Sequence, residues 1–188
     1  MHDTTSALPG FKYEGLVRVA EGGARGMITL RGDLATPRLA QALQAHLGAP
    51  MPGQRRVTNG AGGGAVAWMS PDELLILTEH GAVPAMIAAL EGATTGEFVT
   101  LADVSDARAV FTIKGVQARD VLAKICPVDF DALRPGQIRR TRAAQVAAAL
   151  ICEDDDCFAL ICFRSVAHYM ADLLATVSAP GGAVGLYR

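Results

Sequence analysis

Apolar residues run through the same order of patterns twice along the chain. A β-like run at 27–32 ends in a glycine, and apolar residues at helical spacing follow it. The run at 110–115 does the same, with its glycine 83 positions later (115 − 32 = 83). In each half, two more apolar runs flank a polar turn and lead into another helical stripe. The pattern predicts strand, helix, hairpin and helix, twice.

Polar turns connect the strands of both predicted hairpins. Pro71 and Asp72 lie between the runs 65–69 and 74–77, and both residue types favour turns. The acidic residues 153–156 separate the strands of the second hairpin. A calcium loop of the EF-hand type needs alternating acids, a glycine and a distant glutamate, which do not fit this turn. We therefore expect these acids to face water.

Capping residues mark the predicted helix ends. Thr36 precedes Pro37, an arrangement typical of a helix start, and Gly48 predicts the end of the same helix. Pro127 ends the helix after the second strand, because proline cannot continue a helix. Ser165 predicts the N-cap of the last helix, whose apolar stripe is the strongest helix signal in the chain.

Helices that alternate with hairpins predict an α+β fold with largely antiparallel sheets rather than a doubly wound parallel sheet. We expect two βαββα lobes, residues 1–95 and 96–188, either as two small domains or as two lobes of one domain. The strand-like run 16–19 adds an edge strand near the N-terminus.

Composition narrows the classes of function. Of 188 residues, 51% are apolar and 19% are charged, and the net charge is −2. This near balance of charge gives no reason to expect nucleic acid or an anionic membrane as a partner. The apolar excess has two explanations, which are alanine richness and an apolar surface that another protein covers. We favour the protein interface.

Three features predict a cytoplasmic protein. The longest apolar run, 143–152, is far shorter than the ~20 residues of a membrane-spanning helix. The segment 1–10 has neither the basic nor the apolar region of a secretory signal. The four cysteines form no Cys-x-x-Cys pair and lie in apolar runs, so we expect reduced thiols rather than disulfides.

The sequence predicts no catalytic, cofactor-binding or metal-ligating residue. The glycine-rich stretch 60–64 precedes a strand, whereas a phosphate-binding loop needs a following helix, so we interpret it as a flexible loop. An enzyme could use Asp103, Ser105 and Arg108, but a serine with no neighbouring base is inert. We expect Asp103 and Arg108 to satisfy backbone groups or each other.

Four stretches together resemble one known family. Residues 103–108 read Asp-x-Ser-x-x-Arg and are similar to its Asp-x-Ser-His-Gly-Arg, with Asp and Ala in place of His and Gly. Residues 115–129 are similar to its Gly-x-x-Ala-x-x-Val-Leu-Ala-Lys-Gly-Cys-Pro-x-Asp, with Ile125 in place of the second Gly. Residues 163–169 and 70–73 resemble its Arg-Ser-Phe-Ala-x-Tyr and Gly-Pro-Asp-Glu stretches. The family is the γ subunit of heterotetrameric sarcosine oxidase.

The resemblance implies a role in a larger enzyme. Heterotetrameric sarcosine oxidase oxidatively demethylates sarcosine to glycine, makes hydrogen peroxide and passes the one-carbon unit to tetrahydrofolate. The resemblance implies that FAD and FMN belong to the β subunit, and folate and NAD to the α subunit. For this chain it implies α, β and δ subunits as partners, no catalytic residue, and a fold distantly related to the folate-binding aminomethyltransferases.

The alternative is a stand-alone, folate-dependent protein of the aminomethyltransferase or iron–sulfur-repair type. The repair type carries the signature Lys-Gly-Cys-Tyr-x-Gly-Gln-Glu. Here residues 124–127 read Lys-Ile-Cys-Pro, and Gln137 has no glutamate after it. These departures favour the γ-subunit interpretation.

A partner-docking surface is predicted in the second lobe, because the resemblance is densest there. Arg164 is its first candidate, since arginine is enriched at interfaces and can bind a carboxylate through two nitrogens. The alternative is that Arg164 only satisfies local backbone. His168 lies beside the apolar stripe of the last helix, and Asp103 and Arg108 complete the predicted interface.

Overall fold

Strands and helices follow one another through residues 4–187, which are the part of the chain that the computed structural model describes. The segment 1–10 considered above lies partly outside this range. The strands are β1 (Lys12–Glu14), β2 (Arg18–Glu21), β3 (Arg25–Gly32), β4 (Val57–Asn59), β5 (Ala65–Ser70), β6 (Glu73–Glu79), β7 (Val99–Asp103), β8 (Arg108–Lys114), β9 (Gln137–Ala143), β10 (Val146–Asp154) and β11 (Cys157–Phe163). The α-helices are α1 (Pro37–Leu47), α2 (Val83–Ala93), α3 (Ala118–Ala123) and α4 (Ala167–Val177). Among residues 4–187, no helix is both long enough and apolar enough to cross a membrane.

The strands form two antiparallel sheets. One has the order β4-β5-β6-β3-β7, and the other has the order β9-β10-β11-β8-β2-β1. The hairpins β5–β6 and β10–β11 lie where the sequence predicts them, with the turns between Ser70 and Glu73 and between Asp154 and Cys157. The predicted α+β fold with largely antiparallel sheets is confirmed.

The two halves repeat one topology. Strands β3, β4, β5 and β6 have the same neighbours in their sheet as β8, β9, β10 and β11 have in theirs. Ile28 and Leu30 of β3 pack in one core cluster with the buried faces of α1 and α2. Phe111 and Ile113 of β8, each 83 positions later (111 − 28 = 83), pack in another cluster with α3 and α4. The helices therefore cover the same face of each sheet, as a true repeat requires.

Each repeat gives its first strand to the sheet of the other repeat. We define the first repeat as β2 to α2 and the second as β7 to α4. Strand β2 pairs with β8 of the second repeat, and β7 pairs with β3 of the first. The compact units are therefore Arg25–Ser105, here called the first unit, and the residues through Ala24 together with those from Asp106, here called the second unit. This division differs from the expected one at residues 95 and 96, because strand pairing rather than chain order decides it.

Helix starts depend less on side-chain caps than the sequence predicts. Thr36 adopts an extended backbone before Pro37, but its side chain makes no capping hydrogen bond. Gly48 ends α1 as predicted, with a left-handed φ of 66° and its N–H bound to the Gln44 carbonyl. The prediction of Ser165 as an N-cap is wrong, because Arg164–Val166 form a 3-10 turn that leads into α4.

A buried aromatic cluster positions helix α3 in the second unit. Phe111, Phe130 and Phe158 are fully buried, and the rings of Phe130 and Phe158 meet edge to face at 6.1 Å. Val121 and Leu122 of α3 lie in the same core. Replacing a buried leucine such as Leu122 by alanine costs about 2–5 kcal/mol in comparable cores. The packing of α3 in this core therefore fixes the positions of its polar residues, Arg119 and Asp120.

Candidate partner interface

Arg108 lies beside Phe163 on neighbouring strands of the second unit. The two residues are directly opposite each other in the β8–β11 pairing. The guanidinium carbon of Arg108 is 5.4 Å from the centroid of the Phe163 ring. Such a cation–π contact contributes about 0.5–1 kcal/mol at an exposed site. Phe163 still exposes 51% of its surface, so Arg108 supports an exposed ring of a kind that is enriched at interfaces.

Arg164 binds backbone near the N-terminus of the described chain. Its Nη2 donates hydrogen bonds to the carbonyl oxygens of Thr5 and Ser6, at 2.9 and 3.0 Å. The side chain is half-buried. This geometry matches the alternative in which Arg164 satisfies backbone groups, and a contact with a partner stays a prediction.

His168 and Tyr169 are exposed at the start of α4. Tyr169 keeps 46% of its surface exposed, and Met170, the next residue, is fully buried. The exposed ring of Phe163 precedes Tyr169 by six positions (169 − 163 = 6). The second unit thus presents two exposed aromatic rings close together in sequence, with His168 between them.

Asp103 lies in the first unit, at the end of β7, and stabilises a turn. Its Oδ1 accepts hydrogen bonds from the backbone N–H of Ser105 at 2.9 Å and from the Ser105 hydroxyl at 2.6 Å. The Ser105 Oγ in turn accepts a hydrogen bond from the N–H of Met27 at 2.9 Å, in a buried position. Asp103 and Ser105 therefore satisfy backbone groups, and three of the four predicted interface residues lie in the second unit.

Arg119 of α3 ties two loops of the second unit together. Its Nη1 donates to the carbonyl oxygens of Phe130 and Leu133, and its Nε donates to the carbonyl of Asp155 at 3.2 Å. Its Nη2 lies 3.5 Å from Oδ1 of Asp155. The guanidinium carbon is 5.4 Å from the Phe158 ring centroid. Since all its nitrogens have partners, Arg119 is a structural link rather than a ligand-binding group.

Asp120, the next residue, is a buried carboxylate that holds backbone N–H groups. Only 2% of the residue is exposed. Its Oδ2 accepts hydrogen bonds from the N–H groups of Val184 and Gly185 at 2.8 and 3.0 Å, and its Oδ1 accepts one from Leu186 at 2.8 Å. Burial by itself raises the pKa of Asp120, but these backbone donors, with that of Tyr187, outweigh burial and lower the pKa.

The segment that Asp120 holds, residues 178–187, is here called the strap. Lys124 fixes its beginning, because Nζ donates hydrogen bonds to the carbonyl oxygens of Val177, at 2.8 Å, and Gly182. At its other end the Tyr187 ring packs edge to face against Phe130, with centroids 5.7 Å apart. The strap is therefore anchored to the second unit at both ends and by Asp120.

A cavity of about 660 Å³ opens beside the strap in the second unit. It is bordered by α3, the loop after it, the β10–β11 turn and the strap. The lining residues are Val116, Arg119, Phe130, Asp131, Arg134, Asp155, Asp156, Gly185, Leu186 and Tyr187. Acidic and apolar side chains share its rim.

The cysteines are poor nucleophiles, because burial favours the neutral thiol. Burial raises the pKa of Cys126 to about 12 and that of Cys162 to about 11. For Cys157, burial and the carboxylate of Glu153 raise the pKa to about 11. In the part of the chain that the structure describes, no group of His, Cys, Asp and Glu could hold a metal ion.

Sequence reasoning missed Arg119 and Asp120, which carry the most polar contacts of α3. In the family pattern both fall at positions written as x, for which no residue type is specified, between Ala118 and Val121. The sequence held a weak signal that Asp120 is buried, because it lies beside the apolar stripe of a short helix. A buried carboxylate needs hydrogen-bond partners. The strap that pairs with Asp120 gave no signal of its own.

Comparisons with known proteins agree on one family. The family model described as sarcosine oxidase, gamma subunit family, matches residues 31–180. Sarcosine oxidase subunit gamma of Corynebacterium sp. (strain U-96) is 30% identical over 154 residues, which cover 76% of this chain and 73% of the relative. Sarcosine oxidase subunit gamma of Arthrobacter sp is 35% identical over 122 residues, which cover 59% of each chain.

Two solved structures have a similar fold. One is a chain of the heterotetrameric sarcosine oxidase from Corynebacterium sp. U-96 in complex with pyrrole 2-carboxylate, with a TM-score of 0.79, 25% identity, and coverage of 89% of this chain and 87% of that chain. The other is aminomethyltransferase T of the glycine cleavage system from Bartonella henselae, with a TM-score of 0.61, 18% identity, and coverage of 83% and 44%. The second likeness shows the fold alone, and it confirms the expected relation to the aminomethyltransferase fold.

Proposed function

We propose, because this chain belongs to the sarcosine oxidase gamma subunit family, that it is a non-catalytic assembly subunit of a heterotetrameric sarcosine oxidase. The observation that carries the proposal is the match of 89% of this chain to a chain of such an oxidase, at a TM-score of 0.79. The engagement of Arg119 and Asp120 in holding chain segments supports a structural role.

The reaction we propose for the complex is the oxidative demethylation of sarcosine to glycine. Two electrons leave the N-methyl group and reduce dioxygen to hydrogen peroxide, and the methyl carbon passes to tetrahydrofolate. We propose α, β and δ subunits as partners, with FAD and FMN in β and with NAD and tetrahydrofolate in α. We also propose the cytoplasm as the compartment, which the four unpaired cysteines support.

The test compares this chain alone with this chain co-expressed with the products of its neighbouring genes. We expect the chain alone to be colourless and to produce no peroxide from sarcosine, and the co-expressed complex to be yellow, active and to retain the chain through size-exclusion chromatography. A yellow and active isolated chain overturns the non-catalytic assignment. Failure of the chain to co-purify with the active oxidase overturns the assembly role, and tight tetrahydrofolate binding by the isolated chain supports the stand-alone alternative instead.

A further inference from the structure

Three exposed apolar side chains lie at or next to the cavity of the second unit. Val116 is 77% exposed and Leu186 is 68% exposed, and both line the cavity. Val184, two positions before Leu186 on the strap, is 67% exposed. Single exposed apolar residues are normal on protein surfaces, whereas a cluster of them marks an interaction site. This cluster therefore indicates a surface that another molecule covers.

The strap holds two of these side chains outward in a fixed arrangement. The N–H groups of Val184, Gly185 and Leu186 all bind the buried Asp120 carboxylate, while the side chains of Val184 and Leu186 remain exposed. Hydrogen bonds to an ionised group are about twice as strong as neutral ones. A surface ordered before binding loses less conformational entropy when it binds. The apolar cluster is thus preorganised.

The charge around the cavity is negative toward solvent. Asp131, Asp155 and Asp156 line it, against the two arginines 119 and 134. The guanidinium of Arg119 is turned toward carbonyl oxygens and Asp155, and Nη1 of Arg134 donates to the carbonyl oxygens of Asp131 and Leu133. The side chain of Asp155 is 77% exposed. A cation placed at this rim is attracted by the acids, whereas an anion is repelled.

We propose that Val116, Val184 and Leu186, with the acidic rim at Asp155 and Asp156, dock another subunit of the oxidase. The docking segment carries an apolar side chain that enters the cavity, flanked by a lysine or arginine that meets the acids. This inference rests on the proposed assembly role and names the surface that performs it. The family match ends at residue 180, so it does not cover Val184 and Leu186 of the strap.

The test uses the co-expressed complex with single substitutions in this chain. Leu186→Asp places a charge in the apolar cluster, and Asp156→Lys reverses the rim charge. Phe98→Asp is the matched control, because Phe98 is 99% exposed but belongs to the first unit and does not line the cavity. We expect Leu186→Asp to weaken retention of the other subunits at least tenfold across a dilution series and Asp156→Lys to weaken it severalfold, with Phe98→Asp within twofold of the unsubstituted chain.

Thermal melts of the isolated variants separate docking from folding. All three replaced side chains are exposed, so we expect melting temperatures within 2–3 °C of the unsubstituted chain. Retention of the partners by Leu186→Asp and Asp156→Lys at the unsubstituted level overturns the inference while leaving the assembly role intact. An equal loss with Phe98→Asp also overturns it, because the effect is then not specific to this surface. If the unsubstituted chain fails to assemble, the proposed function itself fails.

Discussion

Replacement of Asp120 by alanine removes the carboxylate that holds the strap. The three N–H donors of residues 184–186 then lose an ionised acceptor that they approach within 2.8–3.0 Å. Hydrogen bonds to charged groups each contribute about 1.5–3 kcal/mol and do not add fully. The strap can detach and bind water instead, so the loss is limited to the free energy of strap docking. We expect Asp120→Ala to lower the free energy of unfolding by about 2–4 kcal/mol.

The same contact predicts a dependence on pH. Burial by itself raises the folded-state pKa of Asp120, but the backbone donors together outweigh burial and lower this pKa below its ordinary value of 3.8. A lowered folded pKa means that the stabilisation is complete above the unfolded pKa and is lost as the pH falls through the folded pKa. We therefore expect the difference in stability between the unsubstituted chain and Asp120→Ala to be constant from pH 5 to pH 7 and to shrink below about pH 4.

Urea unfolding at pH 3 and at pH 6 measures this difference, and hydrogen exchange of the strap amides locates it. Asp172→Ala is the matched control, because Asp172 is exposed on α4. It should change stability by less than about 0.5 kcal/mol at either pH. The reasoning is refuted if Asp120→Ala is as stable as the unsubstituted chain. It is also refuted if the strap amides exchange at the same rate in both proteins, or if the stability difference is as large at pH 3 as at pH 6.

Three further predictions concern single residues. Arg164→Ala should lower the melting temperature of the isolated chain by several degrees, because the Thr5 and Ser6 carbonyls lose a charged donor; an unchanged melt together with weaker assembly would instead assign Arg164 to an interface. Cys126 should react with a thiol reagent at pH 8 only after unfolding, since burial raises its pKa to about 12; fast labelling of the folded chain contradicts this. Ser105→Ala should cost about 1–3 kcal/mol in urea unfolding, because the buried N–H of Met27 loses its acceptor, and Ser105→Thr should recover part of the loss.

The repeat could be predicted because each half repeats its own local signals. Each signal depends on residues close in sequence: the glycine that ends β3, the glycine that follows β8, the turn at Pro71 and the helical stripes. The strands Val57–Asn59 and Val99–Asp103 were harder to predict, because they are only three and five residues long. Both are edge strands, and each is paired with one neighbouring strand of its sheet.

The candidate site was less predictable because its contacts join distant residues. Asp120 binds backbone groups more than sixty positions away (184 − 120 = 64), and backbone N–H groups carry no sequence signal. Arg164 was predicted as an interface residue from its type and from its place where the family resemblance is densest. Its partners within this chain are carbonyls at residues 5 and 6, which neither signal indicated. Residue type thus indicated that these side chains make strong polar contacts, but it did not identify their hydrogen-bond partners.

The exchanged strands have a consequence for the order in which the chain is synthesised. Arg18 of β2 pairs with Lys114, 96 positions later (114 − 18 = 96), and Leu30 of β3 pairs with Leu101 of β7, 71 positions later (101 − 30 = 71). Pairings between such distant residues are slow to form. A nascent chain therefore leaves one edge of β3 open until β7 has left the ribosome, and open edges invite pairing with other chains. If translation pauses after the first repeat, the open edge of β3 is exposed to other chains. Both sheets are complete only after translation has passed well beyond the middle of the chain.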